Sequence, residues 1–75
     1  MAEIDKEEFL HFAAAALGVA AVDGDTAYGM IPQWDSVQHL RLVMELESHY
    51  GVRIPIDAVA RLRTIDEFYD YCVSS

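Results

Sequence analysis

Four glycines and two prolines cut this chain into stretches that suit short helices and little else. Gly18 closes the first stretch, Gly24, Gly29 and Pro32 break up the second, and Gly51 and Pro55 end the third. From Ile4 to Leu17, the residues Phe9, Phe12, Ala13, Ala16 and Leu17 recur at the spacing of one helical face. Asp5 and Glu8 stand as a capping pair at its start, and Gly18 is a natural stop. Val19 to Trp34 shows no sustained period and is a long connection, which needs a reason in so small a chain. Its apolar residues Val19, Val22, Tyr28, Met30 and Ile31 suggest that it packs over a core. Ser36 to Tyr50 is the clearest helix, capped by Asp35 with Gln38 three residues on, and ended by Gly51. Val52 to Ile56 is extended, because the residue before Pro55 is pushed out of the helical region. Asp57 can cap a short helix reaching about Leu62, and Thr64 with Glu67 opens a last helix striped by Ile65, Phe68, Tyr69 and Cys72. The expected fold is all-α: a small four-helix bundle of three main helices and one short one, with a long first loop.

Seventy-five residues support one hydrophobic core, so residues 1–75 read as a single domain, expected to be monomeric. A deep pocket of its own is not expected at this size, which argues for a carrier, binding module or subunit over a self-sufficient enzyme. Apolar residues make up 53% of the chain, too many for a solvated coil. The formal charge of −8 argues against autonomous binding to nucleic acid or anionic membranes and for steering toward basic partners. The long apolar run from Phe12 to Val22 is too short to span a bilayer. Cys72, the single cysteine, allows no internal disulfide, and a cytoplasmic location fits best.

The third segment holds the functional information. On a helical wheel His39, Leu42, Val43, Leu46 and Tyr50 gather on one side, wide enough to be the core face. Val37, Leu40 and Met44 form a second apolar arc, beside Arg41, Glu45 and Ser48. Either the long loop partly covers that arc, Leu40 above all, or the arc is a docking patch for a partner. Ser36 stands at the first helical position, where free N–H groups and the helix dipole favour a negative group such as a phosphate ester. By itself an Asp-Ser pair also reads as plain capping.

The run Asp35-Ser36-Val37, then Leu40, Leu42-Val43-Met44, Leu46-Glu47, Tyr50-Gly51 and Ile54-Pro55, resembles the acyl carrier proteins. Their motif is Asp-Ser-Leu opening a helix, then an apolar-rich run, an aromatic and Ile-Pro. The resemblance is dense over residues 34–55 and looser over the rest, and the size, acidity and long loop agree with it. It implies a non-catalytic carrier whose Ser36 receives 4′-phosphopantetheine from coenzyme A, the arm's thiol then holding an acyl or aminoacyl cargo as a thioester. The implied partners are a phosphopantetheinyl transferase, a loading enzyme and a downstream synthase or transferase. Docking would fall on Trp34, Asp35, Val37, Gln38, Leu40, Arg41 and Met44, and a sheltered acyl chain would meet Leu42, Leu46, Val59, Leu62 and Phe68, which read equally well as ordinary core.

The chain departs from the family pattern in informative places. Val37 replaces the usual leucine, and Gln38 and Arg41 stand where fatty-acid carriers usually show acids. Trp34 and His39 look more like discrete carriers of specialised polyketide-like, hydroxyacyl or aminoacyl pathways, although an aromatic at position 34 could equally anchor a loop. An unmodified helical interaction module, similar to a sterile-alpha-motif domain, is the alternative. A Ser36–His39 nucleophile pair is possible by spacing, but no acid is placed to orient the imidazole and no oxyanion-hole motif appears. His11, His39 and His49 are dispersed, and no metal-ligand spacing is found. Cys72 reads as a buried small residue, and Arg61 and Arg63 as solvated or paired with Asp57 and Asp66 for less than about 1 kcal/mol.

Overall fold

Side-chain capping sets where three of the four described helices begin. A computed structural model describes residues 4–74 and shows four helices in the order α1 (Lys6–Leu17), α2 (Ser36–Tyr50), α3 (Ile56–Arg61) and α4 (Ile65–Ser74). Asp5 accepts from the Glu8 N–H at 3.0 Å, so α1 starts at Lys6, two residues later than the apolar pattern suggests. Asp35 accepts from the Gln38 N–H at 2.9 Å. At α4 the box closes in both directions: the Glu67 N–H donates to Thr64 Oγ1 at 3.1 Å, and the Thr64 N–H donates to Glu67 Oε1 at 3.1 Å. Gly51 ends α2 in the left-handed conformation, with φ of 67°, where a side chain would be strained.

One expected cap is wrong. Pro55, not Asp57, is the N-cap of α3, and no side chain caps that helix. The Pro55 carbonyl accepts from Ala58 and Val59, so the turn is already closed when the chain reaches Asp57, which sits in the first turn with only the helix dipole to act on.

The four helices enclose one core whose largest fully buried side chains are Trp34, Phe9, Phe68, Leu42, Leu46 and Ile65. The Phe9 ring stacks on Tyr50 at 5.6 Å and meets Tyr69 edge-on at 5.3 Å, joining α1 to α2 and α4. Cys72 is buried in this core as expected, and burial raises its thiol to about 11.

The long loop is fastened to the joint between α3 and α4. Among the described residues the only strand-like pairing is an isolated antiparallel bridge between Ala27 and Thr64. Tyr28 N–H donates to the Arg63 carbonyl at 2.7 Å, and Ile65 N–H to the Thr26 carbonyl at 3.1 Å. Gly24 accepts from the Asp66 N–H at 3.0 Å, and a Cβ on Gly24 would collide with the Asp66 carboxylate. That carboxylate pairs with Lys6 at 2.6 Å, and Arg61 and Arg63 are exposed, the solvated one of the two readings the sequence left open for them. Val19, Val22, Tyr28 and Ile31 do pack against the core, whereas Met30 is exposed.

Candidate functional site

Ser36 is the first residue of α2 and is exposed. Helix geometry leaves the earliest N–H groups without intrahelical acceptors, and Asp35 satisfies only that of Gln38 here. The serine hydroxyl therefore stands at the positive end of a fifteen-residue helix with open space in front of it.

The two residues flanking this serine at 34 and 39 hold it from behind. Trp34 is fully buried, and its Nε1–H donates to His39 Nδ1 at 2.9 Å. An indole nitrogen can only donate, so Nδ1 must be the bare nitrogen of a neutral imidazole. The proton is on Nε2, which donates to the Val59 carbonyl at 3.0 Å. His39 thus ties the end of the long loop, α2 and α3 together through one ring. Tyr28 adds an edge contact to that ring at 4.9 Å. Both imidazole nitrogens are committed, so none is left to take a proton from Ser36, and the serine–histidine pairing allowed by spacing is not formed.

Beside Ser36 lies an open groove of about 270 Å³ between the long loop, α2 and α3. Leu40, Ile56, Val59 and Ala60 give it an apolar floor, and Tyr28 and Arg63 form a wall. No carboxylate lines it, although the chain has thirteen acids. A second open groove, of about 520 Å³, runs along the outer face of α2, lined by Val37, Leu40, Arg41, Met44, Glu45 and Ser48. Val37 is 69% exposed, Leu40 51% and Met44 67%, so the long loop does not cover the second arc. Arg41 and Glu45 sit 3.9 Å apart on its rim.

The profile of the phosphopantetheine attachment site family matches residues 34–72, just over half of the chain. An acyl carrier protein of Rubrobacter xylanophilus is 32% identical over 76 aligned positions, which cover 93% of this chain and 94% of that protein. The chain belongs to the acyl carrier protein family. Acyl carrier proteins are non-catalytic, and their cofactor is covalently attached 4′-phosphopantetheine. The surroundings of Ser36 fit such a group: an exposed hydroxyl, a helix N-terminus, an arginine and an apolar groove with no acid in it.

Within this acyl carrier protein most of the docking residues drawn from the family are on the surface: Asp35, Val37, Leu40, Arg41 and Met44 are exposed and Gln38 is half-buried. Trp34 is the correction. Its indole is buried and bonded to His39, so it cannot meet a partner and acts as the loop anchor. The residues named for an acyl chain, Leu42, Leu46, Val59, Leu62 and Phe68, are all buried in the core, and of these Val59 alone lines the groove at Ser36. Tyr28, Ile56, Ala60 and Arg63 complete that groove and were not foreseen. Glu47, quoted only as part of the family motif, accepts from the Ile54 N–H at 2.8 Å and fastens the extended segment to α2.

Proposed function

We propose that Ser36 is the attachment point of the arm, and that this single carrier domain presents acyl or aminoacyl intermediates to the enzymes of a specialised assembly line, polyketide-like or nonribosomal-peptide-like, in preference to housekeeping fatty-acid synthesis. The observation that carries the reading is Ser36 itself, an exposed hydroxyl at the first position of α2, inside the stretch that matches the attachment-site family. When attached, the arm supplies a thiol that holds the cargo as a thioester. The protein's own residues do the rest. Asp35 closes the helix start, Trp34 and His39 fix its position against α3, and the open groove gives the proximal arm somewhere to lie.

Partner enzymes are proposed to dock on the exposed arc of Val37, Leu40 and Met44, with Arg41 and Glu45 as its charged rim. They would include a phosphopantetheinyl transferase, a loading enzyme and a downstream synthase or transferase. Arg41 supports the specialised reading, because it puts a cation where an otherwise acidic chain would show an anion, and so asks for an acidic complement on the partner. The lone buried cysteine supports a cytoplasmic site of action. No helix among the described residues is long and apolar enough to cross a membrane.

The test is intact-mass measurement after incubation with coenzyme A and a broad-specificity phosphopantetheinyl transferase. The expected result is a gain of one phosphopantetheine unit in the native chain and none in Ser36→Ala, with the far-ultraviolet circular dichroism of both unchanged. A native chain that stays unmodified beside a known carrier that is modified overturns the reading.

A further inference from the structure

Arg63 is the basic residue that the carrier fold leaves at the attachment site. Its backbone is held on both sides, the carbonyl by the Tyr28 N–H at 2.7 Å and the N–H by Glu67 Oε1 at 2.7 Å. Its side chain is held as well. Nε–H donates to the Ala60 carbonyl at 3.3 Å, and the guanidinium carbon stands 5.1 Å from the centre of the Tyr28 ring. That leaves the Nη donors of a planar fork with no carboxylate partner among the described residues, on the wall of the same groove that Ser36 lines. Of the five arginines and lysines, Arg41 has Glu45 and Lys6 has Asp66, while Arg53, Arg61 and Arg63 have no ion pair among the described residues, and of these three Arg63 is the one that lines this groove.

We propose that Arg63 is the receptor for the phosphodiester of the arm, seating the proximal part of the arm in the groove between the long loop and α3. This rests on Ser36 being the attachment point. The chemistry of the occupant is matched in two ways. A phosphodiester is a permanent anion whose two free oxygens suit the paired donors of a guanidinium. The floor of Leu40, Ile56, Val59 and Ala60 suits the branched hydrocarbon that follows the phosphate in pantetheine. Attachment at Ser36 delivers the anion to Arg63 within one molecule, so the pairing forms at high effective concentration even though the site is open to water. An alternative source for the same chemistry is a carboxylate at the far end of a cargo, which would require the whole arm to fold back. The phosphodiester needs no such folding and is the source assigned here.

The test uses ¹⁵N-labelled protein before and after conversion with coenzyme A, with Arg61→Gln as a charge-matched control. Arg61 is also exposed but does not line this groove. Conversion is verified first by mass, so that failure of attachment at Ser36 is seen separately. The expected result is a resolved shift of the Arg63 Nε–H resonance on conversion to the holo form. In addition, ³¹P relaxation of the holo arm should show a more mobile phosphate in Arg63→Gln, whose unchanged thermal melt shows that it folds, and a native-like phosphate in Arg61→Gln. An Arg63 resonance that stays in place in mass-verified holo protein overturns the proposal. So does an equal gain in phosphate mobility in both variants, which reports general electrostatics only. If the resonance moves only after loading with a succinyl arm and not in holo or acetyl forms, the phosphodiester assignment is wrong and the cargo carboxylate is the occupant.

Discussion

The two faces of α2 are made of similar residues and have opposite fates. Leu42 and Leu46 are fully buried, whereas Val37 and Met44, one helical step around, are 69% and 67% exposed. Hydropathy alone does not separate them. What separates them is the rest of the chain: α1 crosses one face with Phe9 and Phe12, α4 backs it with Phe68, and no described element lies over the other. A small bundle can bury one side of its longest helix, so a second apolar arc is left in water at a cost that folding does not recover. That exposure is what supports the proposed use of the arc as a docking face for a partner.

Substitutions can break this comparison, beginning with the largest effect. Leu46→Ala should lower stability by about 2–5 kcal/mol, because the enclosed site cannot collapse onto the missing atoms. Urea denaturation monitored by circular dichroism measures it, and a loss comparable to that of a surface substitution would erase the distinction. Trp34→Phe keeps the aromatic bulk but removes the indole donor, leaving His39 Nδ1 buried without its partner. The expected loss is about 1–3 kcal/mol by the same measurement. Smaller still is the effect at Met44: Met44→Asp should stay within about 0.5 kcal/mol of the native chain, as surface changes do. The same variant should slow cargo transfer to a partner enzyme severalfold, measured by mass spectrometry. If its unfolding midpoint falls as far as that of Leu46→Ala, the outer arc is core after all.

Cys72 offers a chemical probe of the buried side. Its thiol is raised from 9.0 to about 11 by burial, so the folded state binds this proton more tightly than the unfolded state. The associated stability is fully present below the unfolded value and is lost as pH rises through the folded one. Native protein should therefore weaken between about pH 9 and pH 11, and a Cys72→Ala variant should weaken less over that window. Alkylation at pH 8 should be slow in buffer and fast in urea.

Most helix ends were legible because their signals are local. Asp35 with Gln38, Thr64 with Glu67, and Gly51 each act within a few residues, so reading along the chain finds them. The two arcs of α2 were legible for the same reason, as was Ser36 at its start. Asp57 misled because capping residues are favoured by type, while the choice between adjacent positions depends on which carbonyl closes the first turn, here that of Pro55. The residues behind and beside Ser36 depend on long-range contacts. His39 meets Val59 across twenty positions, and Arg63 meets Tyr28 only once the long loop has folded over the α3–α4 joint. Periodicity placed His39 on the core face, but nothing along the chain says which groups its two nitrogens will find. Family likeness places Trp34 among the docking residues while an aromatic there could equally anchor the loop, and its burial and its bond to His39 decide for the anchor.

That placement of Trp34 has a practical side. It is the chain's only tryptophan, buried, bonded to an imidazole, and two residues from Ser36. All indole emission from this protein therefore originates at one post behind the start of α2. Its colour reports how dry that post is. Loading, docking or loosening of α3 can thus be followed in unlabelled protein, with the fold serving as its own lamp.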